Sequence, residues 1–143
     1  MYDDVLVPTD GSDGIDAVLN HAFDLARRHD ATVHALYVVD DRAFVTLHKD
    51  MVDEVAESMS EDGERATADL AAAAADVELD AVTALRRGDP AEEILEYAAE
   101  ADIDLIAMGT RGSDDRRNLL GSVSRAVVTE ASVPVLTLNV ADQ

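Results

Sequence analysis

There is no cysteine among the 143 residues. Disulfides, thiolate catalysis and cysteine-ligated zinc are therefore excluded. Tryptophan is absent too, and aromatics make up 3% of the chain against 48% hydrophobic residues overall, so the core must be built from Val, Leu, Ile and Ala. Positive charge is scarce: 31 acids face 11 bases, the net charge is -20, and Lys49 is the single lysine. Such an excess repels phosphates and anionic lipid, which argues against nucleic acid and membrane surfaces as partners. No apolar run approaches the roughly 20 residues of a membrane span. Residues 1–10 lack the basic stretch of a secretory leader and instead carry Asp3, Asp4 and Asp10. The expected location is the cytoplasm.

The length fits one domain over 1–143. The composition is too apolar for a disordered acidic chain. An acidic, lysine-poor surface is expected in a salt-rich cytoplasm, where a Debye length of about 3 Å at 1 M screens self-repulsion. Unfolding in dilute buffer and in molar KCl tests this hypothesis, and equal stability in both refutes it.

Apolar runs alternate with helical periodicity along the chain. Val5, Leu6 and Val7 predict a central strand, followed by a turn-rich segment from Pro8 to Gly14. Ser12 or Asp13 is placed to cap a helix carrying Ile15, Val18, Leu19, Ala22, Phe23 and Ala26 on one face. A second strand is expected over 32–39. A long helical pattern covers 43–76, longer than an ordinary helix, so that a break near Gly63 or a loose first section is expected. A weaker third strand covers 81–86. Asp89 and Pro90 open the next helix as N-cap and first residue, with Glu92 in a capping-box position and Ile94, Leu95 and Ala98 facing the core. A fourth strand over 103–108, a helix over 122–131 and a last strand over 133–138 complete the order. Pro134 places that last strand at a sheet edge or marks its start. Alternation of this kind implies an α/β fold with a mostly parallel sheet.

The richest stretch runs from Met108 to Ser124. Three glycines (Gly109, Gly112, Gly121) lie between a buried strand and a helix that Ser122 is placed to start. A strand, a glycine loop and a helix N-terminus together offer backbone N–H groups and a positive dipole end to a phosphate. The same glycines also serve turn geometry alone. No Gly-Lys-Ser/Thr follows, so this is not a Walker A loop, and the GxGxxG dinucleotide pattern is missing. In open parallel sheets, ligands sit beyond the carboxyl ends of strands where the strand order reverses. The loops after strands one and four are the ones placed to meet there.

These residues resemble the universal stress protein family over the whole chain. Val5-Leu-Val-Pro-Thr-Asp-Gly-Ser12 is similar to its opening strand and loop, Tyr37-Val-Val-Asp40 to the end of its second strand, and Gly88-Asp-Pro90 to the loop after its third. Its nucleotide-binding members carry Gly-x2-Gly-x9-Gly-Ser/Thr. Here Gly109, Gly112, Gly121 and Ser122 stand in that order with the second spacer one residue shorter. The resemblance implies a five-stranded, Rossmann-like sheet in the order 3-2-1-4-5 with helices on both faces. It also implies ATP in the crevice and a homodimer through the last strand, from Val133 to Leu138.

Carried over by position, Pro8, Thr9 and Asp10 line the adenine and ribose region and Val38 contacts the adenine. Met108 and Gly109 floor the pocket. Gly112, Gly121, Ser122, Val123 and Ser124 bind phosphates through backbone N–H and hydroxyl groups. Asp114 and Asp115 in the shortened loop oppose a polyphosphate, unless Arg111, Arg116 and Arg117 neutralise them or Mg²⁺ bridges carboxylate and phosphate. Asp10 is open to a turn role, and Ser122 to capping alone. His21, His29, His34 and His48 show no metal spacing, and Asp3 and Asp4 read as acidic surface positions. No nucleophile–base pair stands at recognisable spacing. The expected function is an ATP-binding regulator in stress adaptation rather than an enzyme. The alternatives are a dimeric scaffold that binds no nucleotide, and a slow ATP hydrolase or self-phosphorylating protein using Ser122 or Ser124.

Overall fold

Val5, Leu6 and Val7 reach no solvent at all, which places the first strand at the centre of a sheet covered on both faces. The computed structural model describes residues 1–12, 14–110 and 121–139. Its strands are β1 (Asp4–Pro8), β2 (Thr32–Asp40), β3 (Ala81–Gly88), β4 (Leu105–Gly109) and β5 (Val135–Leu138). All pair in parallel in the order β3-β2-β1-β4-β5. The intervening helices are α1 (Ile15–His29), α2 (Lys49–Asp76), α3 (Pro90–Glu100) and α4 (Ser122–Glu130). The expected architecture and strand order are thus found.

Alternation along each strand divides the core in two. Val5, Val7, Val33, Ala35, Leu105 and Ala107 pack against α1 and α2 through Val18, Leu19, Ala22, Leu70 and Ala74. Leu6, Leu36, Ile106 and Met108 pack on the other face against Ile94 and Tyr97 of α3 and Val127 of α4. No helix among the described residues is long and apolar enough to cross a membrane.

Several local expectations are corrected. Of the two expectations for the long helical pattern, the loose first section is found and the break is not: α2 runs unbroken through Gly63, while Phe44 and Leu47 precede it and residues Asp41–Phe44 form a separate 3₁₀ turn. Gly63 is there for space: a Cβ on it would lie 2.5 Å from Tyr37 Cδ1, so the glycine lets α2 press onto β2. Gly14, not Ser12, is the N-cap of α1, and Asp13 lies outside the described residues. Gly121 rather than Ser122 holds the N-cap of α4. β5 starts at Val135, one residue after Pro134, so Val133 precedes it. Asp89 does cap α3, its Oδ1 accepting from the Glu92 amide at 3.2 Å, and Pro90 takes the first helical position. Tyr97 is buried on α3 where Leu95 and Ala98 are only half-buried.

Asp4 is more than surface charge. Its Oδ1 lies 2.9 Å from Nε2 of buried His34, whose Nδ1 lies 2.7 Å from the Tyr97 hydroxyl. The amides of Asp3 and Asp4 both donate to Asp104 Oδ2, at 2.8 and 3.0 Å. This network closes the amino-terminal end of the sheet.

Candidate functional site

At the opposite end the central strands stop and their loops part. The chain leaves β1 toward β2 on one side and β4 toward β5 on the other, so a crevice opens between them. It forms a cavity of about 440 Å³. Pro8, Thr9 and Asp10 enter it from β1, Val38 from β2, Met108 and Gly109 from β4, and Gly121, Ser122, Val123 and Ser124 from the start of α4. The expected site residues within the described chain therefore meet in one place. Arg111 and Gly112 lie outside the described residues, as do Asp114, Asp115, Arg116 and Arg117.

The loop after β1 is fixed by its own hydrogen bonds. The Thr9 amide donates to Leu36 O at 2.9 Å, and the Thr9 hydroxyl oxygen accepts from the Gly11 amide at 3.1 Å. Asp10 Oδ1 accepts from the Ser12 amide at 2.9 Å, so Asp10 does shape the turn. Gly11 sits at φ +83°, a left-handed conformation that glycine adopts without a Cβ penalty.

Thr9-to-Leu36 is the last step of the ladder between β1 and β2. Peptide groups alternate sides along a strand. Leu36 turns its N–H and C=O toward β1, and Val38, two residues on, turns its own the same way, beyond the end of β1 and into the crevice. One donor and one acceptor side by side match the edge of an adenine, which offers an acceptor and an amino donor.

The start of α4 forms the facing wall. No side chain caps this helix and its first turn carries no acid. The first amides of a helix have no partner within it, and its dipole is positive there. Among the described residues, no acid of the first turn competes with an anion at this end. The Ser124 hydroxyl donates to Thr110 O and Gly121 O, both at 3.1 Å. That hydrogen locks the loop to the helix, which leaves the Ser124 backbone amide and not its hydroxyl for a ligand. The Thr110 carbonyl also accepts from the Gly121 amide. Among the described residues, the Thr110 hydroxyl is the one buried side-chain polar atom without a hydrogen-bond partner.

Residues missed in the sequence complete the lining. Tyr37 and Asp40 come from the end of β2, Arg42 from the 3₁₀ turn that follows it, Met59 from α2, and Pro90 and Ile94 from α3. Asp40 and Arg42 follow the rule that identified the other loops, since both lie at a strand's carboxyl end. Met59 carries no such signal. Arg42 is gripped by Asp40, Nε to Oδ1 at 2.8 Å and Nη2 to Oδ2 at 2.6 Å. This hydrogen bonding holds the Asp40 carboxyl below its usual range and raises the Arg42 guanidinium. Burial, helped by Asp62 and Asp10, pushes the Tyr37 hydroxyl up. No group of three or more His, Asp or Glu side chains among the described residues is placed to hold a metal ion.

The sequence model of the universal stress protein family matches residues 1–139. A universal stress protein of Methanocaldococcus jannaschii is 38% identical over 140 residues, covering 96% of this chain and 82% of the relative. The solved structure of a universal stress protein from Lactobacillus plantarum superposes with a TM-score of 0.85 at 33% identity, covering 96% of this chain and 97% of the other. A more distant one from Archaeoglobus fulgidus, solved in complex with dAMP, gives a TM-score of 0.66 at 22% identity over 95% and 97% of the two chains.

Proposed function

The chain belongs to the universal stress protein family, and from that premise we propose that it binds ATP in the 440 Å³ cavity and acts as a nucleotide-dependent regulator in stress adaptation. The observation that carries this reading is the uncapped N-terminus of α4 opening on the same cavity as the outward-turned peptide of Val38. The first suits phosphate and the second suits adenine, and the cavity is of a size that takes small ligands, about 300–1,000 Å³. The dAMP bound by the Archaeoglobus relative is a ligand of the same adenine class. In this reading the amides of Ser122, Val123 and Ser124 receive phosphate oxygens, Gly121 keeps the approach clear, Thr9 and Asp10 border the ribose, and Met108 and Gly109 form the floor. Mg²⁺ would accompany the polyphosphate and offset the acids nearby. The protein holds nucleotide without rapid turnover.

Homodimerisation through β5 belongs to the same proposal. Val135, Leu136, Thr137 and Leu138 are all half-buried on an edge strand, and an edge invites pairing. Sedimentation of a Leu136→Lys variant tests it: a monomer is expected, and an unchanged dimer refutes that interface. The acidic surface leaves nucleic acid and membranes outside the proposal.

A second reading, a dimeric scaffold without nucleotide, has one observation in its favour. Arg42, the sole cation among the described lining residues, is already neutralised by Asp40. Calorimetry with ATP in molar KCl, with and without Mg²⁺, separates the two. Micromolar binding that disappears in Gly121→Val supports the nucleotide reading. Absence of binding in every condition overturns it in favour of the scaffold.

A further inference from the structure

β3 forms one edge of the sheet, with β2 as its neighbour. The Val33 amide donates to Asp80 O at 2.9 Å, and Val33 stands opposite Ala81. Asp80 therefore turns its peptide groups toward β2, and by alternation Val82, Ala84 and Arg86 do the same. Ala81, Thr83, Leu85 and Arg87 turn N–H and C=O outward, off the edge of the sheet. Among the described residues, no hydrogen bond reaches those outward groups.

Proteins guard such edges with short strands, prolines, bulges or charges. β3 runs for eight residues, Ala81–Gly88, where β5 at the opposite edge runs for four. It contains no proline, and its register with β2 continues from Ala81 to Gly88 without a bulge. Val82 and Leu85, which alternation puts on opposite faces of the sheet, are 43% and 36% exposed. A strand added along β3 would pair with the outward peptides and cover both side chains.

The charge of the edge selects the occupant. Ala81–Gly88 carries Arg86 and Arg87 and no acid, in a chain of 31 acids and 11 bases. Arg86 is engaged by Glu100, Nη1 to Oε2 at 3.1 Å. Arg87 is exposed and has no carboxylate partner among the described residues; its guanidinium carbon lies 4.7 Å from the centre of the Phe44 ring, which steadies it. A second copy of the strand brings that cation no carboxylate. The net charge of -20 repels an acidic partner at long range, but at 1 M salt the repulsion fades beyond about 3 Å and the contacting group decides.

We propose that the edge of β3 binds an extended acidic segment of another protein, which adds a strand to the sheet and sets a carboxylate on Arg87. None of these edge residues lines the cavity, so the site is separate from the nucleotide reading.

The test uses the full chain in molar KCl and a fluorescein-labelled peptide, Glu-Val-Thr-Val-Thr-Val-Glu, read by fluorescence anisotropy. Wild type is expected to bind it. Amide exchange should then slow at Thr83, Leu85 and Arg87 but not at Val82 and Ala84, which already bond β2. Thr83→Pro removes an outward N–H that β2 does not use, so the variant is expected to fold while its peptide affinity falls roughly tenfold or more. Arg87→Glu changes an exposed side chain, keeps the fold, and weakens binding roughly fivefold. A wild type that fails to bind the peptide overturns the proposal, as does unchanged affinity in either variant. Assembly of the wild type through this edge, seen as a larger sedimentation coefficient that Thr83→Pro abolishes, assigns the edge to a second copy and overturns it too.

Discussion

Asp4, His34 and Tyr97 at one end of the sheet, and Thr110, Ser122 and Val38 at the other, use the same kinds of polar group to different ends. At the amino-terminal end each group completes another. His34 bridges Asp4 and Tyr97, Asp104 takes two amides, and the Arg86 guanidinium lies 5.3 Å from the centre of the Tyr97 ring. At the carboxyl-terminal end groups are left over among the described residues: a helix without a side-chain cap, the Thr110 hydroxyl without a partner and a peptide edge past the end of its neighbour strand. Saturated polar groups hold the fold, and unsaturated ones in a cavity are available to a ligand. A histidine buried with both nitrogens engaged is structural on this criterion, however much it resembles part of a catalytic relay.

If the two ends are separate in function, damage to the closed end lowers stability and spares ATP binding. The largest effect is expected for His34→Leu. It strands the buried Tyr97 hydroxyl and strips Asp4 of its partner, a loss of about 3 kcal/mol. Urea unfolding measures that loss, and calorimetry should find ATP affinity within twofold of wild type. A parallel collapse of binding would show that the ends are coupled. Gly63→Ala is the variant expected to affect both. Its new Cβ meets the Tyr37 ring at 2.5 Å, and Tyr37 lines the cavity, so overpacking should cost about 2 kcal/mol and weaken ATP as well.

Tyr97→Phe is a milder version of the first experiment. It removes one hydrogen bond and keeps the ring, for about 1 kcal/mol at neutral pH. It should also change the alkaline limb of the stability curve. Burial raises the Tyr97 hydroxyl above its usual value near 10. In that range the unfolded chain loses its proton first, so stability falls as pH rises. Phenylalanine removes this contribution. The part that persists follows Tyr37, which burial also raises. Urea midpoints from pH 8 to 11 check both statements.

Much of this contrast was legible in the sequence, for identifiable reasons. The alternation of strands and helices and the meeting of the loops that carry Thr9, Asp10, Gly109 and Gly121 follow from periodicity and turn chemistry, which are local signals, whereas the strand order is what the family resemblance implies. The pairing of Asp4 with His34 is not local. It depends on β1 and β2 lying side by side in register, Asp4 opposite Thr32 and Leu6 opposite His34. Gly63 suggests a break by helix propensity, whereas its cause is a tyrosine on another element. Ser122 looked like a cap because its residue type favours capping, but the preceding glycine already holds that place. That the Thr110 hydroxyl has no partner among the described residues has no sequence signature at all, since it depends on neighbours from other elements.

The smallest effect concerns Arg42, and it tests the direction in which the ligand lies. Asp40 is held below its usual range chiefly by hydrogen bonding to Arg42, with burial opposing. As pH falls the unfolded chain therefore takes up its proton first. The pair's stabilisation is fully present above the ordinary carboxylate value of 3.8 and fades as pH drops through the lower folded value. The Asp40 side chain is 31% exposed and that of Arg42 is 52% exposed, so solvent screening limits the pair to under about 0.5 kcal/mol. Arg42→Gln should then leave urea stability at pH 7 nearly unchanged and flatten the acid limb slightly. Its effect on ATP is the more informative result. Arg42 enters the cavity from the β2 end with Val38 and Pro90, where the proposal puts the base, while phosphates lie at α4. Affinity should change less than threefold, about the amount of a weak exposed interaction. A tenfold loss would mean that Arg42 leaves Asp40 for the phosphates, and the nucleotide would have to lie the other way round in the cavity.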